Sequence, residues 1–292
     1  MNKKILVIGL SGESVFLTLD HFNKKGETVQ AIDKKTEPGG KGYNQAIALG
    51  KLGCDVTFIT ALGNDSYSNE CIKVLKENGV NPCVIYKDAP GSYAVITVDK
   101  NGENNVIVYK GASDLINFND IYKSFQKNLD EADIVLLQLE YNKELTIQLI
   151  DYFYEKGKKI ILNPAPKNYL DLDTLNKVDI LTPNEFELSL IEKEKLKSTI
   201  ITTLGSQGAR LEKNSRVFPA YKVKVVDTTG AGDTFNAGLV CQLSKGKSIE
   251  NAITFANACS ALEVTKKGVV ETIPTYDEVI NFMKGHNIWR QY

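Results

Sequence analysis

The 292-residue sequence predicts a three-layer α/β fold, in which helices cover both faces of a mostly parallel central sheet and a small β-sheet forms a lid. The first observation is a continuous apolar run at residues 4–8 that ends at Gly9, as in a buried parallel strand. The second is the regular alternation of strand-like and helix-like segments after residue 112. The third is the lack of helical periodicity at residues 10–40 and the alternating pattern at residues 91–109, which predict short strands of a separate sheet.

The remaining elements follow from apolar periodicity and from the glycines that end each helix. In the first half we predict a helix that runs through Ile47, Leu49 and Leu52 to a stop at Gly53, a strand at 55–60, a helix at 68–78, and strands at 93–98 and 105–109 around the Asn101-Gly102 turn. In the second half we predict helices at 117–128, 143–155 and 184–191 and strands at 134–137, 159–162, 179–181, 199–203 and 221–226. We therefore assign residues 1–11, 41–90 and 113–292 to an α/β core and residues 12–40 and 91–112 to the lid.

Composition excludes several classes of partner. The 35 basic and 36 acidic residues are interspersed and give a net charge of -1, so we expect neither a nucleic acid nor an anionic membrane as a ligand. The apolar run near the start is broken by Gly9 and Gly12, which predicts neither a signal peptide nor a membrane span. The five cysteines are odd in number and lack metal-ligand spacing, so we expect reduced thiols in a cytoplasmic protein.

Residues 227–238 are glycine-rich and lie where the predicted strand at 221–226 meets a helix. The first turn of a helix has unpaired N–H groups and a partial positive charge, and glycines let an anion approach them closely. Asp233 is unexpected in such an anion pocket, which suggests a general base beside a phosphate site. The alternative is an Asp that only complements the helix dipole.

Polar side chains also follow the predicted parallel strands, at the edge where such sheets bind ligands. Asn184 and Glu187 are three residues apart, so at a helix start they share one face and could hold a hydrated magnesium ion. The alternative is a capping box without a metal. Glu140 ends another strand and adds a carboxylate at the same edge.

Two motifs resemble the signatures of ribokinase-like sugar kinases, the phosphofructokinase-B family. The first is Gly39-Gly40-Lys41-Gly42-Tyr43-Asn44-Gln45-Ala46, and the second is the stretch at 227–238. Shorter similarities lie in family order along nearly the whole chain, including Gln138-Leu139-Glu140, Asn163-Pro164-Ala165-Pro166 and Thr203-Leu204-Gly205.

The resemblance implies a ribokinase-like fold, ATP as phosphoryl donor, and a role for each matched residue. Asp233 is expected to be the catalytic base, and the N–H groups of Gly230, Ala231 and Gly232 an anion hole. Asn184 and Glu187 are expected to organise Mg²⁺ and the phosphates, the Mg²⁺ through water. The expected sugar contacts are Gly12, Ser14, Gly40, Lys41, Asn44, Glu140 and Asp233, and the expected nucleotide contacts are Asn184, Thr203, Gly205, Gly208 and Asn257. A monovalent cation, K⁺, is expected at Asp227, Thr229, Glu263, Lys266, Gly268 and Thr272.

One departure from the family pattern concerns the sugar. Family members usually carry Asn and Asp after the first strand, where this chain has Gly12 and Ser14. Losing a carboxylate removes two strong acceptors for a pair of hydroxyls, which leaves open which sugar is phosphorylated. A nucleoside kinase, or a sugar or nucleotide sensor without catalysis, is the alternative. A lid sheet with a bare face further predicts a homodimer built through the lid.

Overall fold

Apolar strands that pair in parallel form the central sheet of the protein. The computed structural model describes residues 3–101, 103–167 and 169–286. Its strands are β1 (Ile5–Ile8), β2 (Gly12–Thr18), β3 (Asp33–Gly39), β4 (Val56–Leu62), β5 (Val80–Tyr86), β6 (Ser92–Val98), β7 (Asn104–Tyr109), β8 (Ile134–Gln138), β9 (Lys159–Asn163), β10 (Ile180–Leu181), β11 (Thr199–Thr203), β12 (Ala209–Leu211) and β13 (Arg216–Phe218). Its helices are α1 (Lys41–Lys51), α2 (Ser66–Glu77), α3 (Phe118–Glu131), α4 (Lys143–Glu155), α5 (Leu172–Leu175), α6 (Glu185–Ser189), α7 (Ala231–Ser244), α8 (Ile249–Glu263) and α9 (Tyr276–Gly285).

Among the described residues the central sheet has nine strands in the order β13-β12-β11-β10-β9-β8-β1-β4-β5. Pairing is parallel from β5 through to β11 and antiparallel from β11 to β13. This mostly parallel sheet confirms the predicted fold class.

Both faces of the sheet are buried, because successive side chains of a strand point to opposite faces. In β1, Ile5 and Val7 pack into the core formed with α1, α2, α7, α8 and α9. Leu6 and Ile8 pack into the core formed with α3, α4 and α5 on the other face. The nearly continuous apolar composition of β1 is the sequence signature of this double burial.

A second sheet has the order β3-β2-β6-β7. β2 pairs in parallel with β6 and antiparallel with β3, and β7 closes the sheet as the antiparallel partner of β6. Its strands fall within residues 12–40 and 91–112, and we propose that these two segments act as the lid. Gly102 of the predicted turn lies outside the described residues.

The predicted strand at 221–226 is wrong, because these residues form no strand. The central sheet ends at β13, so this extended segment has no neighbouring strand with which to pair. Its backbone is held by α8 instead, where the Val226 N–H donates to the Val264 carbonyl at 2.7 Å. Val225 and Val226 are each 55% exposed, so their β-branched side chains do not belong to a buried strand.

Several elements have no counterpart among the sequence predictions, β5 among them. β5 contains Asn81 and Pro82, which disfavour a central strand. It lies at the edge of the sheet, where a proline without an N–H is tolerated. Edge position, which depends on the whole topology, explains why this strand was not predicted.

Candidate active site

Asp233 lies in the first turn of α7, in contact with α1. Gly230 caps this helix in the left-handed conformation, with a φ of 84° that favours glycine. Asp233 is 6% exposed, and both of its carboxylate oxygens accept hydrogen bonds from α1. The Asn44 amide donates to Oδ2 at 3.0 Å, and the Gln45 amide donates to Oδ1 at 3.0 Å.

The surroundings of Asp233 change its affinity for a proton. Burial raises the pKa of Asp233 above its ordinary value, against the opposing effects of Lys41, Asn44 and Gln45. A carboxylate with a raised pKa accepts a proton more readily than an exposed Asp, as a general base near neutral pH must do.

Gln45 is a site residue to which sequence reasoning gave no role. Besides bonding Asp233, its amide donates to Asn163 Oδ1 at 3.3 Å, and its Oε1 accepts from the Gln138 amide at 2.6 Å. Gln138 ends β8 and Asn163 ends β9, so two strands of the sheet fix the orientation of the Gln45 amide. Its position directly after Asn44 in the first signature motif was the available signal.

The expected sugar contacts meet in one cavity of about 350 Å³ between the lid and the core. Its lining includes Gly12, Ser14, Gly40, Lys41, Asn44, Glu140 and Asp233, that is, every residue expected to contact the sugar. Gly230 lines the same cavity, and so does Glu37 of β3, a residue that the sequence analysis did not single out.

Lys41 and Glu140 bring opposite charges to the floor of this cavity. The Lys41 backbone N–H donates to Glu140 Oε2 at 2.8 Å. Burial lowers the pKa of the Lys41 ammonium, but the carboxylates of Asp233, Glu140 and Glu187 outweigh it, so the net shift is upward. Glu140 keeps some surface open to the cavity, yet burial raises its pKa to about 7.

A second cavity, of about 510 Å³, lies on the other side of the α7 N-terminus. The residues expected around the adenine and ribose line it, namely Thr203, Gly205, Gly208 and Asn257. Its apolar walls include Tyr221, Val223, Val225 and Phe235, so the unpaired segment before α7 forms one side. The Asn257 amide donates to the carbonyls of Phe218 and Pro219 at 2.9 and 3.3 Å, and thereby holds the chain after β13 in place.

The expected anion hole separates the two cavities. Gly230 faces the cavity that contains Asp233, whereas Ala231 and Gly232 face the other cavity. The Ala231 N–H is engaged in a long turn contact of 3.3 Å to the Thr228 carbonyl, which is weaker than a typical hydrogen bond. An anionic ligand therefore competes for this donor at little cost.

Asn184 and Glu187 form the capping box that was the alternative to a metal site. The Asn184 side chain accepts from the Glu187 N–H at 2.7 Å, and Glu187 Oε2 accepts from the Asn184 N–H at 2.9 Å. Among the described residues no cluster of three His, Cys, Asp or Glu side chains could hold a metal alone. The pair fits Mg²⁺ only as an outer contact, with water and phosphate oxygens as the direct ligands.

The residues expected at the monovalent cation converge next to the anion hole. The Asp227 carboxylate accepts from the N–H groups of Thr229 and Gly268 at 2.9 and 3.2 Å. The Thr272 hydroxyl donates to the Gly268 carbonyl at 2.9 Å, and the Glu263 carbonyl accepts from the Lys266 N–H at 3.2 Å. These oxygens are the hard donors that an alkali cation prefers.

The Glu263 side chain places a buried carboxyl group in this region. It is 1% exposed, and neither carboxylate oxygen has a hydrogen-bond partner within the described part of the chain. Burial raises its pKa to about 8, opposed by the neighbouring Thr234 hydroxyl and helped by the charges of Asp233 and Asp227. A buried carboxylate of this kind beside Asp227 is a site that a cation would stabilise, so the residues present fit a monovalent cation.

Comparison with known proteins shows that the resemblance to sugar kinases covers nearly the whole chain. Residues 2–276 match the family described as pfkB family carbohydrate kinase. A ribokinase of Bacillus subtilis (strain 168) is 36% identical over 295 residues, which cover 95% of this chain and 98% of the relative. A ribokinase structure from Thermotoga maritima has a TM-score of 0.86 at 35% identity, covering 97% of this chain and 99% of its own. A ribokinase from Arabidopsis thaliana, solved in complex with ribose and ATP, has a TM-score of 0.82 at 27% identity, with coverages of 97% and 99%.

Proposed function

The chain belongs to the pfkB family of carbohydrate kinases, and we propose that it transfers the γ-phosphate of ATP to a hydroxymethyl group of a small sugar. The observation that carries this proposal is the position of Asp233 and the α7 N-terminus between two cavities. One cavity contains charged groups that can bind and deprotonate a sugar hydroxyl, namely Lys41, Glu140 and Asp233, and the other contains the glycines and Asn257 expected around a nucleotide.

In the proposed mechanism Asp233 is the general base. Its carboxylate accepts the proton of the sugar hydroxyl as that oxygen attacks the γ-phosphorus, and ADP leaves with the bridging oxygen. Asn44 and Gln45 hold the carboxylate in one orientation, and its raised pKa suits the proton transfer.

The N–H groups of Gly230, Ala231 and Gly232 stabilise the negative charge on the transferred phosphoryl group. They lie at the positive end of the α7 dipole, where the first N–H groups of a helix lack partners within the helix. Lys41 adds a positive charge close to Asp233, Glu140 and Glu187.

The two metal ions are part of this proposal. Asn184 and Glu187 would hold Mg²⁺ through water, and Mg²⁺ neutralises phosphate charge when bound. The residues that would surround K⁺, and thereby fix the loop that carries Gly230, are Asp227, Thr229, Glu263, Lys266, Gly268 and Thr272.

We further propose a cytoplasmic homodimer that forms through the lid strands. In the described part of the chain, no helix is both long enough and apolar enough to cross a bilayer.

The experiment is a phosphorylation assay with Mg²⁺-ATP and a panel of pentoses, hexoses and nucleosides, in K⁺ and again with K⁺ replaced by tetramethylammonium. Asp233→Asn keeps the shape of the side chain but removes its basicity, so we expect kcat to fall by about 10²- to 10⁴-fold. Sugar and ATP binding, measured by calorimetry, should change little.

Asp277→Asn is the matched control, because Asp277 also lies in a helix first turn but is exposed. We expect it to have wild-type activity. The kinase proposal would be refuted if wild type turned over no compound of the panel faster than Asp233→Asn does. Preference for nucleosides over free sugars would identify a nucleoside kinase, and ATP binding without any turnover would identify a sensor.

A further inference from the structure

Glu37 is an acidic residue of the lid at the proposed sugar cavity. The role inferred for it below rests on the kinase function proposed above. Glu37 lies in β3, is 7% exposed, and lines the same cavity as Asp233 and Asn44. Its Oε2 pairs with the Lys35 ammonium at 2.9 Å, whereas Oε1 is buried and has no hydrogen-bond partner among the residues that the structure describes.

The register of the lid strands relates Glu37 to the departure noted in the sequence. Glu37 lies directly opposite Ser14 in the antiparallel β2–β3 pair. Directly opposed side chains of such a pair lie on the same face of the sheet, with neighbouring Cβ atoms. Ser14 occupies the position at which the family resemblance leads us to expect an aspartate. The carboxylate missing from β2 is therefore matched by one on the adjacent strand.

Lys35 and Glu37 are two residues apart on one face of β3, and both approach Gly268 of the core. A Cβ placed at Gly268 would lie 2.5 Å from Lys35 Nζ and 3.8 Å from Glu37 Oε2. Gly268 has a φ of 108°, so its missing side chain and its backbone conformation both allow this close approach. The ion pair thus engages Oε2, and Oε1 remains buried without a partner among the described residues.

We propose that Glu37 binds hydroxyl groups of the phosphoryl acceptor, and that it takes the place of the carboxylate absent from Ser14. A buried carboxylate oxygen without a partner is costly, and a sugar hydroxyl that enters the cavity supplies the missing donor. Glu37 is a residue that determines which acceptor binds, whereas Asp233 on the core side acts on the hydroxymethyl group.

The charges of the cavity also limit the class of acceptor. Glu37, Glu140 and Asp233 place acidic groups at its wall, with Lys41 as the lining cation and Lys35 paired to Glu37. Negative charge therefore exceeds positive charge at the cavity wall, which disfavours sugar acids and sugar phosphates. The acceptor is a neutral polyhydroxy compound with at least one hydroxyl directed at β3.

The test compares wild type with Glu37→Gln, using the sugar with the highest kcat/KM in the panel and its single-deoxy analogues. A hydrogen bond to a charged group corresponds to about 10- to 100-fold in affinity. We expect Glu37→Gln to raise the KM and calorimetric Kd of that sugar by this factor, with the KM for ATP unchanged. Wild type should bind one deoxy analogue about 10-fold or more weakly than the full sugar, and the variant should lose this preference.

Asp33→Asn is the matched control, because Asp33 begins the same strand but is exposed and does not line the cavity. We expect wild-type sugar affinity for it. Glu37→Met is the second variant if the amide fails to fold. Unchanged sugar affinity and unchanged deoxy-sugar discrimination in the folded Glu37 variant would overturn the role of Glu37 and leave the kinase proposal standing. Absence of sugar phosphorylation by wild type would overturn the kinase proposal itself.

Discussion

At the scale of residues, the proposed sugar cavity contains two carboxyl groups whose pKa values lie above those of free side chains. Asp233 and Glu140 both have raised pKa values, and Lys41 lies close enough to both to oppose that shift. Two acidic groups with a lysine close to both titrate together. The pH dependence of the rate therefore reports on all three side chains and not on one residue.

We expect kcat/KM for the sugar to fall as the pH decreases through about 7, because burial raises the pKa of Glu140 to about 7. Below that pH the protonated side chain loses acceptor capacity and its charge beside Lys41. Asp233 must also be ionised to act as a base, so its titration has the same sign. Rates measured from about pH 5.5 to about pH 9 should show this acid limb.

Glu140→Gln should lower kcat/KM and remove the part of the acid limb near pH 7, since the amide at this position does not titrate. Glu144→Gln is the control, because Glu144 is exposed in the first turn of α4. An acid limb that stays near the pH of about 7 set by Glu140 in wild type would assign that limb to another group.

The sequence predicted which residues meet in this cavity better than it predicted what orients them. Residue types and position at strand and helix ends indicated Asp233 and Glu140, the family resemblance added Asn44, and the structure brings these three together. Gln45 and Glu37 were given no role, because their contacts depend on register and on elements distant in sequence. The role of Asn184 and Glu187 was left open between capping and metal binding, and the structure contains the capping box.

At the scale of elements, the start of α7 combines backbone geometry with close packing. Gly230 needs a left-handed conformation, and a Cβ there would lie 2.5 Å from Glu263 Oε1 and 2.8 Å from Val269 Cγ1. The glycine-rich sequence correctly predicted a helix start here. The strand predicted at 221–226 is absent, because β-branched residues alone do not show whether a neighbouring strand is available for pairing.

We expect Gly230→Ala to destabilise the protein and to lower kcat. The left-handed conformation alone costs about 1–2 kcal/mol for a residue with a Cβ, and the clash with Glu263 adds to it. Displacement of the turn also misplaces the anion-hole donors, each worth about 10²- to 10³-fold in rate, so kcat should fall at least about tenfold.

Gly246→Ala separates the two effects, because Gly246 has a similar φ of 73° and no described atom lies within 4 Å of the position that a Cβ would take there. Urea unfolding should detect only the conformational cost in this control, with kcat unchanged. Equal losses of stability and activity in the two variants would contradict a specific role for the Gly230 turn.

At the scale of the whole molecule, the lid leaves an apolar strand uncovered. β7 is an edge of the small sheet, and Val106, Ile107, Val108 and Tyr109 are 55%, 72%, 52% and 54% exposed. Val106 and Val108 also line the sugar cavity, so a partner that covers this strand would shield the site from water. An exposed apolar edge strand favours pairing with another chain, and a second copy offers the same strand.

We therefore expect the wild-type protein to sediment as a dimer at micromolar concentration and Ile107→Lys to sediment as a monomer. Ile107 is 72% exposed, so a lysine there should leave the fold intact while adding charge to the shared surface. The KM for the sugar should rise with dissociation, because the lid loses its cover. Val217→Lys is the control, since Val217 is 48% exposed on β13, the edge strand of the other sheet. A wild-type monomer at these concentrations, or equal dissociation by Val217→Lys, would show that the lid strands do not form the interface.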